Sequence, residues 1–143
     1  MEVEEVKKYS PEVLEILRYL LPQLSKNAAA PTEEFTRSII ESSASRLLVA
    51  KEEGVVLGML TVVIFPIPTG VRAWIEDVVV DEAGRGKGVG EALSRLAVQL
   101  AHDEGARTVD LTSRPTREAA NRLYGRIGFK PRETNVYRFD MDT

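Results

Sequence analysis

Cysteine is absent from the 143-residue sequence, and histidine occurs once, as His102. Without cysteine the chain has no disulfide, thiol nucleophile or thiolate metal ligand, and one histidine cannot build a histidine-rich metal site. We therefore expect no metal and a surface position for His102. Basic residues are not in excess, since the net charge is −3 and the pI is near 5.3. This charge balance argues against non-specific electrostatic binding of nucleic acid.

Long apolar runs are also missing. No stretch approaches the roughly 20 residues needed to span a bilayer. The first residues, Met-Glu-Val-Glu-Glu, lack the basic region and apolar core of a signal peptide. The composition, 43% hydrophobic and 29% charged, is ordinary for a globular protein. We expect a cytoplasmic protein without a membrane partner, folded as a single domain over residues 1–143.

The first half of the chain predicts one strand, two helices and three strands. Residues 3–9 alternate weakly, as in a short strand. Ser10 and Thr32 each precede a run of apolar residues at helical spacing and are suited to cap two helices. β-branched residues then predict strands at 47–50, 55–65 and 72–80, the first two joined by a turn at Glu53-Gly54.

The second half alternates between helices and strands. Helical spacing predicts a helix over residues 92–101 and another over 116–127, with a short strand at 108–111 between them. A final hairpin is predicted from strands at 129–132 and 136–141 that turn at 133–135. The element order is then β-α-α-β-β-β-α-β-α-β-β, a mixed sheet with helices on both faces.

Four of the ten glycines lie within residues 84–90, which read Gly-Arg-Gly-Lys-Gly-Val-Gly, between a predicted strand and a predicted helix. Such a bend suits an anion, because glycines let backbone N–H groups approach a phosphate and the helix dipole favours negative charge. A Walker A loop would need a glycine at Asp81 and a serine or threonine at Gly88. A dinucleotide Gly-x-Gly-x-x-Gly would need a glycine at Val89 or Glu91, so both nucleotide patterns fail.

Two motifs resemble those of the GNAT N-acetyltransferase superfamily. Residues 85–90, Arg-Gly-Lys-Gly-Val-Gly, match the family's acyl-coenzyme A pyrophosphate loop, Arg/Gln-x-x-Gly-x-Gly/Ala. Residues 121–129, Asn-Arg-Leu-Tyr-Gly-Arg-Ile-Gly-Phe, resemble its Asn-x-x-(Ala/Tyr)-x-x-x-Gly-Phe tail. The resemblance covers residues 74–139 well and the N-terminal third by element order alone. It implies an α/β GNAT acyltransferase fold, a mixed, mostly antiparallel central sheet of about seven strands flanked by about four helices.

The resemblance implies that acetyl-coenzyme A is bound largely by backbone. Three positions of the loop must then be glycine, because a side chain there would block the ligand, and the loop's amides would bind the pyrophosphate. The two cations of the loop either add charge near the phosphates or are solvated. The loop residues concerned are Arg85, Gly86, Lys87, Gly88, Val89 and Gly90.

The strand Val78-Val79-Val80 is implied to pair with the pantetheine arm. The backbone of Val78 and Val80 would hold the arm, and one N–H would face the thioester oxygen. A purely structural role as core strand is compatible, because only main chain is recruited. Asn121 matches the family's cofactor-contacting asparagine, and its alternative role is that of a polar surface residue.

Tyr124 occupies the position of the family's general acid. A phenol with a pKa near 10 can protonate a departing thiolate, although the residue is otherwise a packing tyrosine. Glu76 is the candidate base, because a carboxylate on an apolar strand is unusual. Asp77 is expected on the opposite face of that strand. Either acid is alternatively structural, capping a neighbouring element.

The implied function is an acetyl-coenzyme A-dependent N-acetyltransferase in which a primary amine of a small molecule or peptide attacks the thioester directly. A non-catalytic acyl-coenzyme A sensor, or an acyltransferase with another donor or acceptor, stays open. The acceptor is expected near the first two helices, residues 25–31 and residues 65–74. Phe35, Phe65 and Trp74 either line that pocket or pack in the core. A homodimer is common in the family and is left undecided by the sequence.

Overall fold

The structure, a computed structural model, describes residues 1–142. Its five strands form one sheet in the order β1-β2-β3-β4-β5, antiparallel throughout except for the parallel pair β4 and β5. The sheet is therefore mixed and mostly antiparallel, as the sequence predicts. In chain order the elements are β1 (Glu2–Glu5), α1 (Pro11–Leu24), α2 (Glu33–Glu41), β2 (Ser45–Glu52), β3 (Val55–Ile67), β4 (Gly70–Val80), a 3-10 turn (Glu82–Gly84), α3 (Val89–Asp103), β5 (Val109–Asp110) and α4 (Glu118–Ile127).

Both predicted helix caps are confirmed. The Ser10 hydroxyl accepts a hydrogen bond from the amide of Val13 at 3.3 Å, and the Thr32 hydroxyl accepts one from the amide of Phe35 at 3.1 Å. These bonds satisfy first-turn amides that have no acceptor within the helix. No helix within residues 1–142 combines the length and hydropathy that crossing a bilayer requires.

Helices cover both faces of the sheet, because its strands alternate between two cores. Leu48 and Ala50 of β2 face α3, whose Leu93 is fully buried among them. Leu47 and Val49 face the other way and pack against α1. Burial of each such side chain contributes roughly 1.5–3 kcal/mol. The alternation predicts helices on both faces, and the structure confirms it.

Gly58 lets α3 approach the sheet closely. A Cβ built at this position would lie 2.7 Å from the carbonyl oxygen of Val79 and 2.9 Å from Cγ1 of Val89. A backbone oxygen cannot move aside without displacing β4. Sequence reasoning did not single out Gly58, although a glycine inside a β-branched strand is a signal of close backbone approach.

We expect Gly58→Ala to lower the free energy of unfolding by about 1–3 kcal/mol, because the added methyl overpacks the contact between α3 and the sheet. Gly125→Ala is the matched control, since a Cβ there meets nothing within 4 Å. It should be neutral or stabilise by up to about 1 kcal/mol through helix propensity. Urea unfolding measures both variants, and equal stabilities would overturn the steric account.

The predicted final hairpin is wrong. No strand forms between Gly128 and Asp142, and the turn expected at residues 133–135 is replaced by a single bend at Glu133. The sheet therefore has five strands in the described chain and not about seven. A strand forms only where a neighbouring edge completes its hydrogen bonds, and residues 130–142 lie exposed and belong to none of the strands of the sheet. β1 likewise ends at Glu5, and its backbone bonds to β2 extend one residue further, from the amide of Val6 to the carbonyl of Leu47 at 2.8 Å.

Candidate active site

β4 and β5 separate after two paired positions. Ala73 pairs with Val109 and Trp74 pairs with Asp110, and beyond them β5 ends while β4 continues to Val80. Within residues 1–142, the last six residues of β4 therefore have β3 on one side and no strand on the other. This gap exposes backbone donors and acceptors at a sheet edge, where an extended ligand can add as a further strand.

A β-bulge at Asp77 decides which residues face the gap. The register with β3 shifts between Met59 and Thr61, and Asp77 has a φ of +50°. After the bulge, the amide of Asp81 donates to the carbonyl of Leu57 at 2.8 Å. Because backbone groups alternate in direction along a strand, those of Val78 and Val80 then point away from β3.

The valine side chains serve the two cores at the same time. Val79 is buried against α1, while Val78 and Val80 pack on the α3 side. Their packing and the exposure of their main chain are compatible, as expected from the sequence. Without the bulge, alternation would direct the groups of Val79 into the gap. The bulge thus brings the two valines named from the sequence to the open edge.

The glycine loop leads from this edge into α3. Gly86 and Gly88 have φ values of +78° and +77°, and Gly88 is the N-cap of α3 without a side-chain capping bond. The amides of the first helical turn, Val89 to Glu91, have no acceptor within the helix. A Cβ built on either Gly86 or Gly88 meets no protein atom within 4 Å. The loop is an open concavity lined by N–H groups, which suits a phosphate.

Gly90 differs from the other two loop glycines. It lies inside the first turn of α3, and an added Cβ would sit 3.8 Å from Cδ1 of Leu123 and 3.8 Å from Cγ2 of Val80. These are ordinary contacts, so the protein itself tolerates a methyl here. The expectation that Gly90 must lack a side chain therefore has no support in the packing. Val89, next to it, is buried and anchors the start of α3 in the core.

Charges around the loop are mostly paired. Lys87 Nζ lies 3.6 Å from Oε2 of Glu52, and Glu91 lies within 3.0 Å of Arg95 and 3.5 Å of Arg126. The hydrogen bond from Arg95 is the main reason that the pKa of Glu91 is below its ordinary value. The carboxylate in the first turn of α3 is thus compensated by two cations, which lessens its repulsion of an anion in the loop.

Asp81 fixes the junction between β4 and the loop. Its carboxylate is buried, accepts from the Gln23 side-chain amide at 2.9 Å, and caps the 3-10 turn through the amide of Ala83. Hydrogen bonds from Gln23 and Tyr19 lower the pKa of Asp81 below its ordinary value. Together with Arg85, these groups line a cleft of about 570 Å³ beside the loop. Sequence reasoning missed this cluster, because Gln23 and Asp81 lie far apart in the chain.

A depressed pKa predicts how Asp81 affects stability with pH. A carboxyl whose folded pKa is lowered stabilises the fold above its unfolded pKa, and this contribution is lost as the pH falls through the folded value. We expect Asp81→Asn to unfold at lower urea concentration than the parent at pH 7, with the difference shrinking below about pH 4. Glu15→Gln, at an exposed position on α1, should show no such difference. If the difference in stability between Asp81→Asn and the parent stays constant down to pH 3, the effect comes from the shape of the side chain and not from its charge.

Tyr124 lies on α4 beside the start of α3. Its side chain is 8% exposed, and its ring meets that of Phe129 edge to face with centroids 5.8 Å apart. Burial raises the pKa of Tyr124, and the nearby Arg117 only partly opposes this. The hydroxyl makes no hydrogen bond to any residue in 1–142, yet it is not among the oxygens sealed from solvent. The side chain is therefore a protonated, unpartnered donor at neutral pH.

Asn121 has a structural contact. Its side-chain amide donates to the carbonyl of Arg114 at 3.0 Å, which holds the turn that follows β5. The neighbouring amide of Arg117 bonds the same carbonyl at 3.0 Å. The structure thus gives Asn121 a role in positioning the turn that follows β5.

Glu76 and Asp77 are both exposed at the gap. Ile75 packs in the core on the α3 side, so alternation places Glu76 on the face that α1 covers elsewhere. The sequence expected Asp77 to alternate onto the other face, but the bulge interrupts the alternation at that residue. Tyr124 belongs to the α3 side, so Glu76 and Tyr124 approach β4 from opposite faces.

The candidate acceptor residues are scattered. Phe35 is 62% exposed on α2, while Phe65 and Trp74 are partly buried in the sheet. Residues 25–30 are exposed, and the loop is tied by a hydrogen bond from Arg18 Nε to the carbonyl of Pro31 at 3.2 Å. His102 is a surface residue, as expected. No group of three or more metal-binding side chains is found within residues 1–142.

Comparison with known proteins agrees with this geometry. An aminoglycoside acetyltransferase from an uncultured soil metagenomic sample has a TM-score of 0.86 at 19% identity, covering 98% of this chain and 95% of that one. A ribosomal-protein-alanine N-acetyltransferase from Brucella melitensis gives 0.75 at 20% identity, covering 97% and 100%. A transcriptional regulator from Bacillus halodurans gives 0.82 at 26% identity, covering 97% and 99%.

The curated proteins contain no match to the sequence. The model of the acetyltransferase (GNAT) family matches residues 13–129, which include the separated strands, the glycine loop and Tyr124. The architecture of one five-stranded mixed sheet with helices on both faces agrees with that match. The chain belongs to the GNAT acetyltransferase family.

Proposed function

We propose that the protein transfers the acetyl group of acetyl-coenzyme A to a primary amine of a small molecule or peptide. The observation that carries the proposal is the continuity of two open backbone surfaces. The unpaired edge of β4 at Val78 and Val80 leads directly into the N–H-lined concavity at Gly86 and Gly88. An extended pantetheine arm that ends in a pyrophosphate needs these two surfaces in this order.

The donor is held mainly by backbone in this proposal. The main chain of Val78 and Val80 pairs with the pantetheine arm, and the first-turn amides of α3 contact the pyrophosphate. The open space beside Gly86 and Gly88 supports the fit, because a side chain there would occupy the concavity. Arg85 and Lys87 add positive charge at its rim, with Lys87 partly engaged by Glu52.

The chemistry is acyl transfer without a covalent enzyme intermediate. The neutral amine forms a bond to the thioester carbon, and a β4 amide in the gap stabilises the oxyanion, a contribution of about 2.7–4 kcal/mol in other enzymes. The C–S bond then breaks, and Tyr124 donates its proton to the departing thiolate. Glu76, directly or through water, accepts the proton that the amine loses. The two faces of the sheet thus separate the acid from the base.

Similar structures suggest which amines to assay first. They include an aminoglycoside acetyltransferase in complex with sisomicin and a ribosomal-protein-alanine N-acetyltransferase. The exposed acids at the gap, Glu76 and Asp77, favour a cationic amine in either class. An aminoglycoside and an alanine-starting peptide are therefore the first acceptors to assay.

Two measurements test the proposal. Titration calorimetry should show saturable binding of acetyl-coenzyme A, and a thiol-release assay over a panel of amines should show turnover with at least one acceptor. Absence of acetyl-coenzyme A binding would falsify the donor assignment. Binding without thiol release against every amine would favour a non-catalytic acyl-coenzyme A sensor.

A further inference from the structure

Two arginines converge on the turn between β3 and β4. Nη2 of Arg72 donates a hydrogen bond to the Thr69 hydroxyl at 2.9 Å, and its Nη1 donates one to the Thr108 hydroxyl at 3.4 Å. Nη1 of Arg107 donates to the carbonyl oxygen of Thr69 at 3.4 Å. Both guanidinium groups are therefore held beside Thr69, at the end of β4 opposite the glycine loop.

Neither guanidinium has an acidic partner within residues 1–142. Their hydrogen-bond acceptors are hydroxyl and carbonyl oxygens, and the ion pairs of the described chain involve other cations. Gly70 lets Arg107 lie this close, because a Cβ there would be 2.7 Å from its Cδ. Two positive charges near one residue repel each other unless an anion lies between them. Guanidinium forks pair with carboxylate and phosphate oxygens, so these two arginines are suited to bind an oxyanion.

Arg72 lies on a strip of the sheet that the helices leave partly open. Residues of β4 that alternate with it, Ala73 and Ile75 among them, pack in the core on the α3 side. Arg72, Trp74 and Glu76 therefore share the opposite face. Trp74 is partly buried and is not part of either hydrophobic core of the described chain. The strip thus runs from the two arginines, past Trp74, to Glu76 at the gap.

The strip carries opposite charges at its two ends. Glu76 and the neighbouring Asp77 are exposed at the gap, and Arg72 lies four residues before Glu76 on β4. At about 3.3 Å per strand residue, the two ends are roughly 13 Å apart. Asp110 pairs with Trp74 along the strip, but in the described part of the chain it forms no ion pair with either arginine. An elongated ligand that is cationic at one end and anionic at the other complements this surface.

We propose that Arg72 and Arg107 bind the carboxylate of the amine acceptor, and that this acceptor is a peptide of about four residues with both ends free. The proposal rests on the proposed function, because it takes the gap beside Glu76 as the place where the amine reacts. An extended peptide spans about 3.3–3.6 Å per residue, so four residues cover the roughly 13 Å between the reacting amine and the arginines. Trp74 lies between the two ends and offers the peptide an apolar contact. The strip therefore selects an acceptor by its length and its terminal charge.

Titration calorimetry with tetra-alanine and with tetra-alanine amide tests the oxyanion site without the donor. The free acid should bind about tenfold more tightly, because the amide leaves the two guanidinium groups without a charged partner. Low ionic strength is used, since salt screens exposed charges. Dialanine is too short to reach both ends and should bind equally as acid and as amide. Absence of tetra-alanine binding, or equal affinity for its acid and its amide, overturns the proposal.

The double variant Arg72→Gln, Arg107→Gln should lose the preference for the free acid. Arg122→Gln is the matched control, because Arg122 is exposed on α4, which packs against α3 on the other face of the sheet. This control should keep the preference of the parent. Arg72→Lys retains the charge but not the fork of donors, so it should keep only part of the preference. A preference that survives in the double variant places the carboxylate elsewhere and overturns the proposal.

A thiol-release assay separates this proposal from the proposed function. If tetra-alanine binds through its carboxylate but no amine releases thiol from acetyl-coenzyme A, acetyl transfer fails and the oxyanion site stands. If other amines are acetylated while tetra-alanine and its amide bind equally, the oxyanion site fails and acetyl transfer stands. Both proposals hold if tetra-alanine is acetylated with a higher kcat/KM than its amide and the double variant removes that difference.

Discussion

Tyr124→Phe is expected to lower kcat by about 10²–10⁴-fold while the KM for acetyl-coenzyme A changes little. General acids contribute rate factors of this size, and in the proposed reaction the phenol supplies the proton that the departing thiolate needs. The hydroxyl makes no hydrogen bond within residues 1–142, so its removal leaves no partner unsatisfied and should not reduce stability. A steady-state assay with the best acceptor from the amine panel measures the effect.

The control is Tyr9→Phe, at a tyrosine whose ring lies under Arg37 and keeps that contact as phenylalanine. Its kcat should equal that of the parent. Burial raises the pKa of Tyr124 above its ordinary 10.0, so the acid form persists through neutral pH. Ionisation of Tyr124 should therefore reduce the rate only as the pH rises through this raised pKa. An unchanged kcat in Tyr124→Phe would make this residue a packing tyrosine.

The sequence predicts those parts of the fold that are determined locally. Ser10 and Thr32 cap helices because their hydroxyls reach amides three residues on. The left-handed dihedrals at Gly86 and Gly88 are likewise encoded by the residue type itself. The loop and its helix, and with them the family, were therefore recognisable without coordinates.

Features that depend on distant residues were not predictable. The bulge at Asp77 arises from the register between β3 and β4, and no local pattern marks it. The hydrogen bond between Gln23 and Asp81 joins two residues that are 58 positions apart in the chain. The predicted C-terminal hairpin failed for the same reason, since a strand pattern states that a segment can pair without saying which edge it pairs with.

Within the candidate site, the sequence likewise could not predict which way each residue of β4 faces. Sequence alternation alone set Glu76 and Asp77 on opposite faces, and the bulge removed the basis for that assignment. Conversely, the main-chain roles proposed for Val78 and Val80 depend on the bulge, because it directs their groups to the gap. Asn121 has a contact with Arg114 that residue type alone does not specify. Backbone geometry, more than side-chain identity, therefore decides which residues face the gap.

Gly88→Ala is expected to weaken acetyl-coenzyme A binding by at least about tenfold, or roughly 1.4 kcal/mol. The added methyl meets no protein atom within 4 Å, so in the free protein it projects into the concavity proposed for the pyrophosphate. The φ of +77° also makes alanine cost about 1–2 kcal/mol in stability. Calorimetry gives the affinity, and urea unfolding gives the stability separately.

Gly105→Ala separates the two effects. Gly105 follows the far end of α3, has a φ of +83°, and likewise has open space around a built Cβ. It should lose the same stability as Gly88→Ala but keep the parent affinity, because the strain is equal and the distance from the loop is the length of a helix. Gly90→Ala, inside the helix with ordinary contacts, should change stability little. If Gly88→Ala and Gly105→Ala bind acetyl-coenzyme A equally well, the concavity at Gly88 is not where the donor's pyrophosphate lies.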